Sequence, residues 1–254
     1  MKYGIMQGRL LPKFKGLYQS HPIDYWQNEF KIASKLNLDS IEFIFDYNLY
    51  SFNPIFSNPD AIYNLVQETR VKINSICADF FMTAPIQNCS NSEINKYGII
   101  LEKLIYNLKS LGGRNIVIPF VDNSSIKNLS ERKFVANFLN EFRTICSKNS
   151  ITLALETDFS PKNFLEFFEL LDDIHISVNY DSGNSASLGY SFEEEIKSYG
   201  DKISNIHIKD RTLKGGPVHL GKGNADLKSL KNFIKSTNYN DLIIFQAYRD
   251  DEGV

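Results

Sequence analysis

The chain has 254 residues, 43% of them hydrophobic, and a formal net charge of −2. It is long enough for one large core and lacks the basic imbalance that general nucleic-acid binding leaves. Its three cysteines (Cys77, Cys89 and Cys146) are odd in number and widely spaced. They speak against a disulfide framework or zinc cluster and for a reduced, cytoplasmic compartment. No apolar run approaches the ~18 residues of a membrane helix, and the amino terminus turns polar too soon for a signal peptide.

Taken in order, the chain alternates strands with helices. Lys2–Met6 is a first strand, ending in Gln7-Gly8-Arg9. Asp24 can cap a helix to about Leu36, with Trp26, Phe30, Ala33 and Leu36 at helical spacing. Asp39–Phe45 is a second strand carrying Glu42 and ending in Asp46, and Pro59 opens a helix to about Arg70. Lys72–Ala78 is a third strand, ending in Asp79, and Ser92–Leu111 is a long helix stopped by Gly112-Gly113. Asn115–Pro119 is a fourth strand, followed by one helix over Ser130–Asn149 with Phe134, Phe138, Phe142 and Ile145 on one stripe. Ile151–Leu155 is a fifth strand, ending in Glu156, and Ser160-Pro161 starts a helix to about Leu171. His175–Tyr180 is a sixth strand, ending in Asp181 and turning at Gly183 before a helix over Phe192–Tyr199. Ile203–Ile208 carries His207 into a charged, glycine-rich loop, Asp226–Thr237 is a helix, and Asp241–Phe245 is an eighth strand ending in Gln246.

Eight strands alternating with helices, with no linker-like break in composition, describe an α/β chain folded as one (β/α)8 barrel, the TIM-barrel architecture. No Gly-x-Gly-x-x-Gly follows the first strand, which argues against a doubly wound nucleotide-binding sheet. The few residues after the eighth strand leave no room for a last C-terminal helix, so either a neighbouring subunit, as in a homodimer, covers that wall or the barrel is partly uncovered there. Barrel strands converge at their carboxyl ends, which brings Arg9, Glu42, Asp79, Glu156, Asp181, His207 and Gln246 onto one face. Glu156, Asp181 and His207 fall on three consecutive strands at equivalent depth. With the Gln246 amide oxygen they form a mixed oxygen and nitrogen set suited to Mn, Mg, Co or Zn.

The pieces Ala154-Leu-Glu156-Thr157, Asn179-Tyr-Asp181-Ser-Gly-Asn184, His207-Ile-Lys-Asp210 and Leu220-Gly-Lys-Gly-Asn-Ala-Asp226 carry a resemblance. In order and spacing the chain resembles the xylose-isomerase-like barrel superfamily, in its sugar-phosphate isomerase and epimerase branch, over nearly its whole length. The resemblance implies a divalent metal held by Glu156, Asp181 and His207, with Gln246 where the family has a second glutamate. In the epimerases of that family the two glutamates act on opposite faces of the substrate. An amide has no proton to exchange near neutral pH, so Glu156 as sole base favours aldose–ketose isomerisation, unless Glu42 or Asp79 supplies a second base.

The expected chemistry is proton transfer through an enediolate of a sugar or sugar phosphate, with Glu156 as the base and Lys209 facing the oxyanion. Asp210 is expected to orient His207. For an anionic group the loops offer Arg211 first, then Lys214, Lys222, the Gly221/Gly223 amides, Arg249 and Arg9. Asn184 and His219 complete the expected substrate contacts, while His21 and His175 read as structural. Phe43, Phe45, Phe80, Phe81 and Phe120 read as core or as an apolar wall against the sugar. Three other readings stand beside this one. They are a barrel that binds a sugar without turning it over, a metal-dependent lyase or dehydratase, and a phosphodiesterase acting on abasic DNA. The last needs more histidines than the four present and a basic surface.

Overall fold

Apolar alternation becomes a strand at all eight expected places. In the computed structural model, which describes residues 2–171 and 175–250, the strands are β1 (Lys2–Met6), β2 (Ser40–Ile44), β3 (Lys72–Cys77), β4 (Asn115–Phe120), β5 (Thr152–Thr157), β6 (Ile176–Asp181), β7 (Ile203–Ile208) and β8 (Leu242–Phe245). Each pairs in parallel with the next and β8 pairs with β1, closing a (β/α)8 TIM barrel. Closure leaves no sheet edge and forces every connection over the outside. The helices therefore bury one apolar face against the barrel. Ile100, Leu101, Leu104, Ile105 and Leu108 do so along the helix Asn91–Ser110.

Helix starts follow the local chemistry. Ser90 and Glu93 make a reciprocal capping box at Asn91–Ser110. Ser160 caps Pro161–Phe168 through the Asn163 N–H, and Asp226 caps Leu227–Ser236 through the Ser229 N–H. Three expectations need correction. The helix expected over Ser130–Asn149 is two helices, Leu129–Asn140 and Arg143–Asn149. The break at Glu141 and Phe142 keeps Phe142 buried, 5.2 Å from the Phe138 ring, while Phe134 is exposed and so leaves the expected stripe. The turn expected at Gly183 is a helix, Ser182–Leu188. The loop after β7 is also partly ordered, since Asp210–Arg211 pairs antiparallel with Pro217–Val218. Among the described residues no helix follows β8.

Inside the barrel, successive side chains alternate between the interior and the helix-covered outside. Met6, Ile44, Cys77, Val117, Ala154, Leu242 and Ile244 form an apolar inner cluster. Toward β6 and β7 the interior is polar instead, with Asn179, Asn205 and His207 all buried. The strand-end aromatics Phe43, Phe45, Phe80, Phe81 and Phe120 are buried core residues, so packing and not a sugar-facing wall explains them.

A close backbone approach lies between β1 and β2. A Cβ added at Gly4 would stand 2.5 Å from Ser40 Oγ and 2.7 Å from Ile244 Cδ1. Gly4→Ala is therefore expected to destabilise the barrel by about 1–3 kcal/mol, the usual cost of overpacking a close-packed interior. Urea unfolding of the two proteins checks this, and an unchanged midpoint would contradict the assigned contact.

Candidate functional site

Three strand ends deliver the centre. Glu156 and His207 lie one residue before the ends of β5 and β7, and Asp181 closes β6. All three are buried, and one ligand atom from each lies within 4.8 Å of the others. His207 Nδ1 is 3.4 Å from Glu156 Oε2 and 3.9 Å from Asp181 Oδ2. Asp181 is held from behind, because its Oδ1 accepts the N–H groups of Gly183 and Asn184 at the start of the following helix. Its Oδ2 thus faces His207 on one side and Lys209 Nζ, at 3.4 Å, on the other.

Glu156 is fixed as firmly. Its Oε2 accepts Asn179 Nδ2 at 2.7 Å and its Oε1 accepts Asn184 Nδ2 at 2.6 Å. Asn184 in turn accepts Arg211 Nη1 at 2.9 Å. Asn179 and Asn205 carry much of this geometry; Asn179 opens one of the sequence motifs without a role of its own, and Asn205 stands in none. The signal was present in the alternation, since each stands two residues before a candidate ligand and so shares its face.

Behind His207 sits Glu42. The imidazole Nε2 is 2.6 Å from Glu42 Oε1, and neither side chain is exposed to solvent. Ser75 Oγ and Asn205 Nδ2 donate to the other Glu42 oxygen at 2.6 and 2.9 Å. Burial alone pushes the Glu42 carboxyl up and the His207 imidazole down. Their attraction and hydrogen bond override it, holding Glu42 below the usual carboxylate range and His207 above the usual imidazole range. A carboxylate on Nε2 leaves Nδ1 to face Glu156 and Asp181, the arrangement that fixes ring orientation and raises basicity in metal-ligating histidines.

This geometry revises several sequence expectations. Asp210 does not orient His207; Glu42 does. The Asp210 carboxylate instead accepts the backbone N–H groups of Gly221, Gly223 and Ala225. Glu42 is walled off from any ligand. The Gly221 and Gly223 amides are taken by Asp210 and are not directed at an anion, and a Cβ at Gly223 would lie 2.2 Å from Asp210 Oδ1. Arg249 is buried, donating to the carbonyls of Tyr18 and Leu11. Lys214 and Lys222 are exposed, and so is His219, which packs edge-on against Tyr248. His21 is a core residue, its pKa driven down to about 3 by burial.

A second polar group lies on the other side of the mouth, around Gln19 in the loop after β1. Gln19 Oε1 accepts Arg9 Nη2 at 2.9 Å and Gln246 Nε2 at 2.8 Å, while its Nε2 donates to Asp79 Oδ2 at 2.6 Å. The Arg9 guanidinium lies over the Tyr18 ring, and burial lowers its pKa to about 10. Gln246 Oε1 is buried and makes no hydrogen bond. The two carboxylates and the His207 imidazole nitrogen suit a divalent cation, and the unpaired Gln246 oxygen stands just past the strand beside His207.

A family described as xylose isomerase-like TIM barrel matches residues 30–253. The chain belongs to that family. It is 24% identical over 241 residues, 89% of this chain and 84% of the relative, to SgbU of Haemophilus influenzae, which is provisionally named as an L-ribulose-5-phosphate 3-epimerase. Among solved structures it resembles the IolI protein with a bound zinc atom, at a TM-score of 0.77, 18% identity, and coverage of 100% of this chain and 91% of that one. It also resembles the 3-keto-D-glucoside 4-epimerase YcjR from E. coli, at a TM-score of 0.73, 16% identity, and coverage of 99% and 94%. At such identities the structural matches speak for the fold.

The Asp210 clamp makes a local prediction. Asp210→Ala removes the acceptor for three backbone N–H groups, and each charge-assisted bond of this kind contributes about 1.5–3 kcal/mol. Hydrogen exchange at Gly221, Gly223 and Ala225 is expected to accelerate by at least roughly tenfold, with β5 to β7 unaffected. Unchanged protection in that loop would show that the clamp is not what orders it.

Proposed function

We propose that this protein is a divalent-metal-dependent isomerase or epimerase of a sugar or sugar phosphate, with Glu156 as the base that takes the carbon-bound proton. One observation carries the reading: the buried convergence of Glu156, Asp181 and His207 Nδ1, backed by Glu42. The kinship with sugar epimerases supports it. Glu156, Asp181, His207 and Gln246 would hold the cation. When bound, the cation supplies the positive charge that polarises a sugar carbonyl and its neighbouring hydroxyl and stabilises an enediolate.

The remaining steps belong to the chain's own side chains. Asn179 and Asn184 hold both Glu156 oxygens, so the carboxylate meets the substrate in one orientation. Glu156 removes the proton from the carbon next to the carbonyl and holds it for return. Lys209 Nζ, close to both Asp181 Oδ2 and Asn184 Oδ1, places a positive charge beside the developing oxyanion. Arg211 is anchored by the Gly215 carbonyl and Asn184, and presents the same rim with a cation for a phosphate or acidic group. Lys214 and Lys222, both exposed, add charge further out. Asp79, Arg9 and Gln19 form the facing wall.

The test is solvent-deuterium exchange into ketopentose phosphates and free ketohexoses, using manganese-loaded wild type and Glu156→Gln. Metal content is measured on the same samples, so that a lost base is told apart from lost metal. Deuterium is expected at the carbon beside the carbonyl with the wild type. The rate per bound metal should fall on the order of 10²–10⁴-fold in the variant, the usual contribution of a positioned general base. Exchange at the wild-type rate in Glu156→Gln would remove Glu156 from the role. A metal-loaded wild type that exchanges nothing would overturn the proposed activity.

A further inference from the structure

We infer that Asp79 is the second acid–base group of this site, acting on the face of the substrate that Glu156 does not reach, and that the protein therefore inverts a stereocentre. The inference rests on the function proposed above and names the step that Gln246 cannot perform. An amide neither gives nor takes a proton near neutral pH, so inversion needs another acid–base group at the rim.

The other carboxylates near the rim are committed elsewhere. Glu42 has no solvent exposure and is paired with His207. Asp46 accepts Ser20 Oγ at 2.5 Å and the His21 N–H at 3.0 Å. Both Asp210 oxygens are held by backbone amides, and Asp181 caps a helix beside Lys209. Asp79 differs from these in exposure. It is half-buried where they are buried, it stands two residues past β3, and its hydrogen-bond donors are the Gln19 amide and the Cys77 thiol.

Its two oxygens are also not equivalent. Gln19 Nε2 donates to Oδ2, and the direction is fixed because Gln19 Oε1 already accepts from Arg9 and Gln246. Oδ1 has the Cys77 thiol at 3.1 Å, a weak donor. Oδ1 is thus the atom that can carry the transferable proton while Gln19 holds the group in place. Asp79 and Glu156 also belong to separate hydrogen-bond groups. Glu156 is held by residues on and after β6, and Asp79 by a residue that reaches it from the loop after β1 and links it to β8.

The electrostatic surroundings agree. Burial, opposed by the Gln19 and Cys77 hydrogen bonds, pushes the Asp79 carboxyl up to about 6; the charges of Glu156 and Asp46 add to the rise. Arg9 is the nearby cation. A carboxyl group titrating there holds and releases a proton near neutral pH.

The step balances without an oxidant. The carbon–hydrogen bond breaks on one face, its proton going to Glu156 and its electron pair into the enediolate. A proton from Asp79 Oδ1 then forms the new carbon–hydrogen bond on the other face, and the electron pair returns to carbon. Glu156 ends protonated and Asp79 ionised, and exchange with solvent restores both. The reverse reaction uses the same groups with the roles exchanged.

The experiment follows manganese-loaded wild type and Asp79→Asn in deuterium oxide, with L-ribulose 5-phosphate, D-ribulose 5-phosphate and D-fructose as probes. Nuclear magnetic resonance separates two products: deuterated substrate of unchanged configuration, and deuterated epimer. Asp79→Asn is expected to lower epimer formation at least on the order of 10²-fold more than it lowers exchange into the unchanged configuration. Retained exchange also shows that the variant is folded and loaded. Epimer formation at the wild-type rate in Asp79→Asn would overturn the inference, as would parallel loss of exchange and epimer. Wild type that exchanges deuterium or yields an aldose but no epimer would overturn it too, leaving the Glu156 reading intact. No exchange by wild type would overturn both.

Discussion

The arrangement of the site depends on one interaction, the buried contact between Glu42 and His207. Neither group could remain charged alone in the barrel interior, where desolvation of an isolated ion costs several kcal/mol. Together, and with Ser75 and Asn205 completing the hydrogen bonds of the carboxylate, they satisfy each other at no solvent exposure, with His207 Nε2 on the carboxylate and Nδ1 left for the ligand group. Removing one partner of such a pair commonly costs about 3–5 kcal/mol, because the other is left uncompensated. The pair also has direction. By occupying Nε2, Glu42 turns Nδ1 toward Glu156 and Asp181, and so converts three separate strand ends into one ligand group.

The barrel makes this pairing possible. Glu42 and His207 are far apart in sequence, and β1 and β8 lie between their strands. They meet because closure points alternate residues of every strand at a shared axis. The same alternation stacks an apolar cluster from β1 to β5 and β8 beside a polar one from β6 and β7. The polar side is a network of amides: Asn205 donates to Asn179 Oδ1, and Asn179 donates to Glu156. Neutral amides suit such a place, because they orient carboxylates without adding charge to a region that already holds three of them.

Much of this was legible in the sequence, for reasons that can be named. Periodicity located all eight strands, since a strand buried on both faces is a short apolar run between turn residues. Capping residues such as Ser160 and Asp226 marked helix starts because their hydrogen bonds are local. Glu156, Asp181 and His207 stood out as strand-terminal residues on consecutive strands. What the sequence could not carry was partnership across the barrel. Glu42 read as a second base because nothing local distinguishes a carboxylate facing a ligand from one facing a buried imidazole. Asp210 was assigned to His207 through nearness in sequence, whereas its hydrogen bonds run forward to the glycine loop. The bridge from Gln19 to Asp79, Arg9 and Gln246 joins four separate segments, and no spacing rule reaches it.

The account turns on whether the Glu156, Asp181 and His207 group binds a metal. The most direct measurement is metal content by mass spectrometry on untagged wild type and His207→Gln, with circular dichroism confirming that both are folded. The account predicts close to one divalent ion of Mn, Co, Zn or Mg per wild-type chain, and loss of it in the folded variant. Wild type that carries no metal and takes up none when supplied, or a folded variant that keeps a full complement, would contradict it.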